Sequence, residues 1–272
     1  MNLIKQSVFL CTFCVLFVAA GCSEQTETQA RTEMPSESAP EAVPEAAPPS
    51  FEDFLANPAR ASTDQARDAG RKPAEVVAFL DVKPGMTVVD LLAAGGYYTE
   101  VLSLAVGSEG KVYAHNTEFL LKMREGANDK AMVERLADNR LTNVVRLDRE
   151  FEDLGVDAGS VDVAITALNF HDIYNNGGTD AAQGVLAAVK TILKPGGILG
   201  IIDHVGVPDA DNKKLHRIDP DIVREEASKA GYEIDGESDL LANPEDNHDA
   251  GVFGELRGKT DRLLIRLRKP QE

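Results

Sequence analysis

Beyond residue 22 the chain has no cysteine; the three in its 272 residues are Cys11, Cys14 and Cys22. That absence excludes a disulfide, a thiolate zinc site and a cysteine nucleophile from everything downstream, so a folded region there is held by its apolar core alone. Positive charge is also scarce. Lys and Arg number 28 against 45 Asp and Glu, a net charge of −17, and the acid excess persists from Phe51 onward, which argues against nucleic acid as a partner. No internal repeat is present. The N-terminal apolar run, Val8 to Ala20 interrupted by Thr12, is too short to cross a bilayer comfortably.

What is there falls into three parts. Residues 1–21 carry Lys5, the apolar run and small residues before Cys22, the layout of a secretory signal. The end of that segment resembles a bacterial lipoprotein signal, which implies cleavage before Cys22 and lipidation of that cysteine. An ordinary signal peptide or an uncleaved anchor is the competing reading. Residues 22–50 follow Cys22 with five prolines, six glutamates, one arginine and no aromatic residue. Such a composition cannot bury enough apolar area to offset ordering, and predicts a disordered tether reaching on the order of 30 Å. Residues 51–272 are of a size that one α/β domain fills with a single core.

Within 51–272 the pattern alternates. Phe51 to Leu80 reads as helical leader segments broken by Pro58 and Pro73. Strands are expected at Thr87 to Leu91, Lys111 to Ala114, Val144 to Leu147, Val161 to Leu168 and Ile198 to Ile202, with two more at Tyr232 to Leu241 and Asp261 to Arg268. Helices are expected at Tyr97 to Val106, Thr117 to Asp138 with a break at Gly126, Asp180 to Leu193, and from Pro220 to Ala230 behind an Asp219 cap. Seven strands with five intervening helical segments predict a doubly wound, mostly parallel α/β sheet covered on both faces.

The chemistry of such a sheet belongs at the carboxyl ends of its strands, near the reversal in strand order. The stretch T-V-V-D-L-L-A-A-G-G-Y-Y-T-E, Thr87 to Glu100, supplies a strand, a small-residue turn and a helix start there. A helix N-terminus of that kind offers backbone N–H groups to a ligand. The dinucleotide motif G-x-G-x-x-G is missing, and the second strand ends in His115-Asn116 instead of an acid. Both weaken a nicotinamide-dependent oxidoreductase.

The order of segments, with Lys194-Pro195-Gly196-Gly197 ahead of the fifth strand, resembles class I S-adenosylmethionine-dependent methyltransferases. More narrowly, A-G-G-Y-Y-T-E (94–100), K-V-Y-A-H-N (111–116), N-F-H-D (169–172) and H-R-I-D-P (216–220) are similar to a group of exported predicted methyltransferases. The resemblance covers about Ala61 to Pro270. It implies a Rossmann-like seven-stranded methyltransferase fold and S-adenosylmethionine as cofactor. Asp90, Ala94, Gly95, Gly96 and Tyr97 would then form the turn around its methionine part, in which Leu92, Ala94 and Gly96 take the three glycine places. Asn116 stands where an acid would accept from the ribose hydroxyls, and Asp148 fits the position that contacts adenine.

Asn169, His171 and Asp172 follow the fourth strand and are the catalytic candidates: His171 titrates in the right range for a base, with Asp172 or Asn169 orienting it or the substrate. An ordinary loop histidine is the competing reading. His115, His171 and His204 are expected on one rim, with Asp172 and Asp203 adjacent and His216 not far along the chain; such a set could bind a divalent metal, but no close ligand motif such as H-x-x-x-H appears, so no metal is assigned. The expectation is therefore an exported methyltransferase acting on a small molecule, held in the bacterial periplasm through lipidated Cys22. The competitor is a non-catalytic ligand-binding lipoprotein on a degenerate methyltransferase fold.

Overall fold

The computed structural model describes residues 50–271. The expected signal segment, Cys22 and the tether up to residue 49 lie outside the described residues. A leader of three short helices comes first: α1 (Phe51–Leu55), α2 (Ser62–Arg71) and α3 (Pro73–Phe79). Ser50 and Asp53 close a reciprocal capping box on α1, with the Ser50 N–H donating to Asp53 at 2.8 Å and the Asp53 N–H donating back at 3.2 Å. Pro73 opens α3, where its missing N–H is no loss.

The remaining elements are β1 (Thr87–Leu91), α4 (Tyr97–Val106), β2 (Lys111–Asn116), α5 (Glu118–Leu136), β3 (Val144–Asp148), β4 (Val161–Ala167), α6 (Phe170–Ile192), β5 (Leu193–His204), α7 (Asn212–Leu215), α8 (Pro220–Lys229), β6 (Glu233–Ser238) and β7 (Arg262–Arg268). The seven strands form one sheet in the order β3-β2-β1-β4-β5-β7-β6. Only β7 runs against its neighbours, pairing antiparallel with β5 and β6. Strand order reverses between β1 and β4, which are hydrogen-bonded side by side from Val88↔Val163 to Leu91↔Thr166. This is the doubly wound fold expected from the alternating pattern.

Period-2 alternation divides the core into two layers. Val88, Val163 and Ile165 face one layer with Val101 and Leu102 of α4, while Val89, Leu91 and Ala164 face the other with Leu186 and Val189 of α6. Each buried Val, Leu or Ile among them contributes about 1.5–3 kcal/mol on burial. Both faces are therefore paid for by apolar contact, as a domain without cysteine requires.

One boundary differs from expectation in a way that matters for the site. The helix expected to begin at Asp180 begins at Phe170 and is interrupted at Gly178 (φ 64°). Its early turns contain Asn175, Asn176 and Gly177, which read as a loop. Tertiary contacts hold them helical: the His171 N–H donates to the Asp203 carboxylate at 2.7 Å, and Asn175 donates to the Arg217 carbonyl at 2.9 Å. An orphan first-turn donor is thus satisfied from across the sheet. His171 and Asp172 stand on a helix start, not in a loop.

Candidate functional site

The turn after β1 carries the first part of the site. Its three glycine places all have left-handed backbone, Leu92 at φ 53°, Ala94 at φ 50° and Gly96 at φ 83°. An L side chain there costs roughly 1–2 kcal/mol, so two residues are held against their preference. The holding contacts come from β2. The Ala93 N–H donates to the His115 carbonyl at 2.9 Å, and the Leu92 N–H donates to His115 Nδ1 at 3.4 Å. His115 Nε2 donates in turn to the Arg149 carbonyl at 2.9 Å. Burial lowers the pKa of this imidazole more than the Arg149 bond raises it, so the ring is neutral and serves as a brace.

Asn116 is fully buried beside it. Its amide oxygen accepts from the Ala94 N–H at 2.7 Å and its amide nitrogen donates to the Ala94 carbonyl at 3.2 Å. In this structure both ends of the amide engage the turn, and Asn116 is not among the residues lining the cavity described below. A neutral amide suits that task because it offers a donor and an acceptor together, which a carboxylate does not.

Gly95 and Gly96 are backed by α5. A Cβ on Gly95 would meet Ala131 at 3.0 Å, and one on Gly96 would meet the Arg135 side chain at 2.9 Å. Arg135 Nε donates to the Gly95 carbonyl at 2.7 Å, and its guanidinium pairs with Asp64 of α2 at 2.7 Å and with Glu100 of α4. Arg140 also pairs with Glu100, and Arg67 with Asp64. Both carboxylates are buried. The cluster clamps the leader, the turn and α5 together. Beside it, Tyr97 donates to Asp68 at 2.6 Å, and the guanidinium of Arg71 lies 4.5 Å from the Tyr97 ring centre.

Between these elements lies a cavity of about 690 Å³ at the reversal in strand order. Asp90, Ala94, Gly95, Gly96, Tyr97 and Asn169 line it, together with Arg67, Arg71, Arg124, Arg135, Arg140 and Arg257. Among the described residues Arg71, Arg124 and Arg257 form no ion pair, and they leave the cavity short of negative charge. Burial pushes Asp90 up to about 6, although Thr99, whose hydroxyl donates to it at 2.6 Å, and the charges of Arg71 and Arg135 pull the other way. Asn169 donates to the carbonyls of Ala167 at 2.8 Å and Leu92 at 3.3 Å, tying the end of β4 to the turn. A cavity of this kind suits a ligand with a carboxylate and an ammonium group.

His171 and Asp172 do not line this cavity. They stand in the first turn of α6 and belong to a second cluster with His216, at the end of α7. The Asp203 carboxylate, fully buried at the end of β5, accepts from the backbone N–H groups of His171 at 2.7 Å and His204 at 2.8 Å. It also sits 2.6 Å from His171 Nδ1. That bond fixes the Nδ1–H tautomer and turns Nε2 toward Asp172 Oδ1, 3.4 Å away. Burial lowers the His171 pKa, but the charge and hydrogen bond of Asp203, helped by Asp172, overbalance it and the net shift is upward. His204, whose ring centre is 5.8 Å from that of His171, is driven down to about 4 by burial and stays neutral.

Asp148 lies apart from both clusters, at the end of β3. It pairs with Arg146 at 2.7 Å and lines a separate recess with Glu118 and Glu150. Sequence reasoning placed Asp203 beside His171 but gave it no role, and it missed the arginines. A signal for them was present: Asp64, Arg67, Asp68 and Arg71 recur at three- and four-residue spacing and share one face of α2.

No protein-family model matches the chain, and no curated protein matches it. Solved structures do. The chain is similar to a SAM-dependent methyltransferase from Aquifex aeolicus at 22% identity and a TM-score of 0.54, over 72% of this chain and 89% of the other. It is similar to an arsenic (III) S-adenosylmethionine methyltransferase from Chlamydomonas reinhardtii at 17% identity and a TM-score of 0.51, over 83% and 75%. The cyclase SpnF matches at 16% identity and a TM-score of 0.56, over 79% and 85%. The fold is therefore the Rossmann-like fold of class I methyltransferases. One of these three structures bears the name of a cyclase, so the fold by itself names no reaction.

Proposed function

We infer that the chain is an S-adenosylmethionine-dependent methyltransferase acting on a small molecule, exported and held at a membrane of the bacterial periplasm through lipidated Cys22. The observation that carries the reading is the backbone at Leu92, Ala94 and Gly96, which keeps the left-handed form of a glycine-rich cradle at the mouth of a charged cavity. That conformation persists in two residues that disfavour it, and backbone strain of this kind collects at ligand sites.

The donor set fits the methionine end of the cofactor. Arg71 and Arg257 would meet its carboxylate, ionised Asp90 its ammonium group, and Asn169 would keep the end of β4 against the turn. When bound, the cofactor supplies a methyl group activated on a sulfonium. The chain's own contribution is to exclude water and fix the approach of the nucleophile. Asp203 orients His171 so that Nε2 accepts a proton at the rim of the sheet.

A second reading, a binding lipoprotein without transfer activity, is favoured by Asn116, a buried neutral amide engaged by the turn where a carboxylate would hold a ribose more strongly. Calorimetric titration of the full chain with S-adenosylmethionine separates the two. Heat and a thermal shift, followed by loss of the methyl group in the presence of acceptor, support the enzyme. Silence at millimolar ligand sinks it, and binding without turnover favours the second reading. For the anchor, Cys22→Ala should move the chain from the membrane to the soluble fraction; retention at the membrane would overturn lipidation.

A further inference from the structure

His171, Asp172 and His216 meet through their side chains at the start of α6. Asp203 takes the Nδ1–H of His171, so the neutral ring presents a lone pair at Nε2. The atom facing it at 3.4 Å is Asp172 Oδ1. His216 Nδ1 approaches the same oxygen at 3.1 Å. Three donor atoms from two separate chain segments converge within 4.8 Å of one another.

We propose that His171 Nε2, Asp172 Oδ1 and His216 Nδ1 bind one divalent transition-metal ion of the zinc class, with Asp203 as the buried carboxylate that orients His171. The spacing fits. With metal–ligand bonds of about 2.0–2.1 Å, tetrahedral geometry places ligand atoms about 3.3 Å apart; Asp172 Oδ1 lies 3.4 and 3.1 Å from the two imidazole nitrogens, and all three atoms lie within 4.8 Å of one another. Two imidazoles and one carboxylate select zinc-like ions over magnesium or calcium, which prefer oxygen alone. A ligand histidine whose second nitrogen is held by a carboxylate is the usual outer arrangement of such a site.

Each ligand is also held independently of the ion. His171 is buried on the first turn of α6 and anchored twice by Asp203. His216 takes a left-handed backbone (φ 54°) at the end of α7, next to Arg217. That guanidinium is fully buried and bonded to Asp246 at 2.9 Å twice and to the Val205 carbonyl at 2.8 Å. The Phe253 ring packs edge-on against His216 with ring centres 4.9 Å apart. Strain at His216, offset by a rigid neighbour, delivers the third donor. Asp172 is half exposed, which gives the ion an entry path and leaves a fourth position for water or a substrate oxygen or sulfur. With the ion in place His171 ceases to be a base, and activation of a bound nucleophile passes to the metal.

The test uses the full chain, stripped with chelator and titrated with zinc alone, then with cobalt for its visible spectrum. One equivalent of zinc and the intense d–d bands of a four- or five-coordinate cobalt ion are expected. His216→Ala should weaken zinc at least 100-fold, Asp203→Asn about 10- to 100-fold without removing a ligand, and His248→Ala not at all. Far-UV circular dichroism checks that each variant is folded, and the partly exposed His216 gives a variant that keeps the core intact. No zinc uptake, or uptake indifferent to His216→Ala, or uptake lost in His248→Ala, overturns the site. The titration requires no S-adenosylmethionine, so its outcome and that of the cofactor titration are separable.

Discussion

Replacing Ala94 with glycine should make the protein more stable, against the usual direction of a glycine substitution. Ala94 sits at φ 50° in the turn after β1, a region that penalises an L side chain by roughly 1–2 kcal/mol. Glycine removes that strain but gains freedom in the unfolded chain, which returns about 0.4–1 kcal/mol. The net is about 0.5–1 kcal/mol in favour of Ala94→Gly. With a urea m-value near the upper end of the ~1–3 kcal/mol per M range, the unfolding midpoint rises by about 0.3 M. Asn116 bonds only the backbone of Ala94, so its contacts survive the change. Gly96→Ala is the converse: φ is 83° and the new Cβ meets Arg135 at 2.9 Å, so a loss of at least ~2 kcal/mol is expected from strain and displacement of the clamp. Urea unfolding of both variants, followed by far-UV circular dichroism, decides. A lower midpoint for Ala94→Gly, or none of the expected loss for Gly96→Ala, refutes the reading of this turn as a strained glycine cradle.

Two other outcomes follow from the charges. Arg135→Ala leaves the buried carboxylates of Asp64 and Glu100 with one arginine each; a loss of about 3 kcal/mol is expected, or about 6–12 °C in Tm by calorimetry. Lys122→Ala, which breaks an exposed, solvent-screened pair with Glu118, should leave Tm nearly unchanged, and equal effects would contradict the clamp. For Asp90, burial raises the native pKa to about 6 from 3.8, so the native state holds the proton more tightly than the unfolded chain does. Its contribution is fully present below the unfolded pKa and is lost as pH rises to about 6, roughly 3 kcal/mol in all. Asp90→Asn should therefore flatten the fall in the unfolding midpoint between about pH 4 and 7; parallel profiles for the two proteins would refute it.

The sheet was legible because its strands alternate or run continuously apolar, and because glycine and proline mark their ends. Thr87–Leu91 and Arg262–Arg268 fall within a residue of expectation, since a buried strand is a local pattern. The site was less legible because its bonds are long-range. Nothing local tells that Asn116 folds back on Ala94, or that Asp203 reaches His171 from another strand. The start of α6 was hidden for the same reason: two asparagines and two glycines read as a loop, and contacts from Asp203 and Arg217 overrule them. The arginines around the cavity had a sequence signature, but the acids that fix Arg135 come from α2 and α4, on either side of β1.

The Arg135 clamp also bears on the order in which the chain is made. The leader emerges before any strand, and Asp64 then has only Arg67, its neighbour on α2, as a partner. The second arginine that secures α2 in its place belongs to α5, synthesised after two strands have formed. The leader is therefore secured only by residues that follow it in the chain, and the cavity it borders is complete only when Asn169 and Arg257 have joined it.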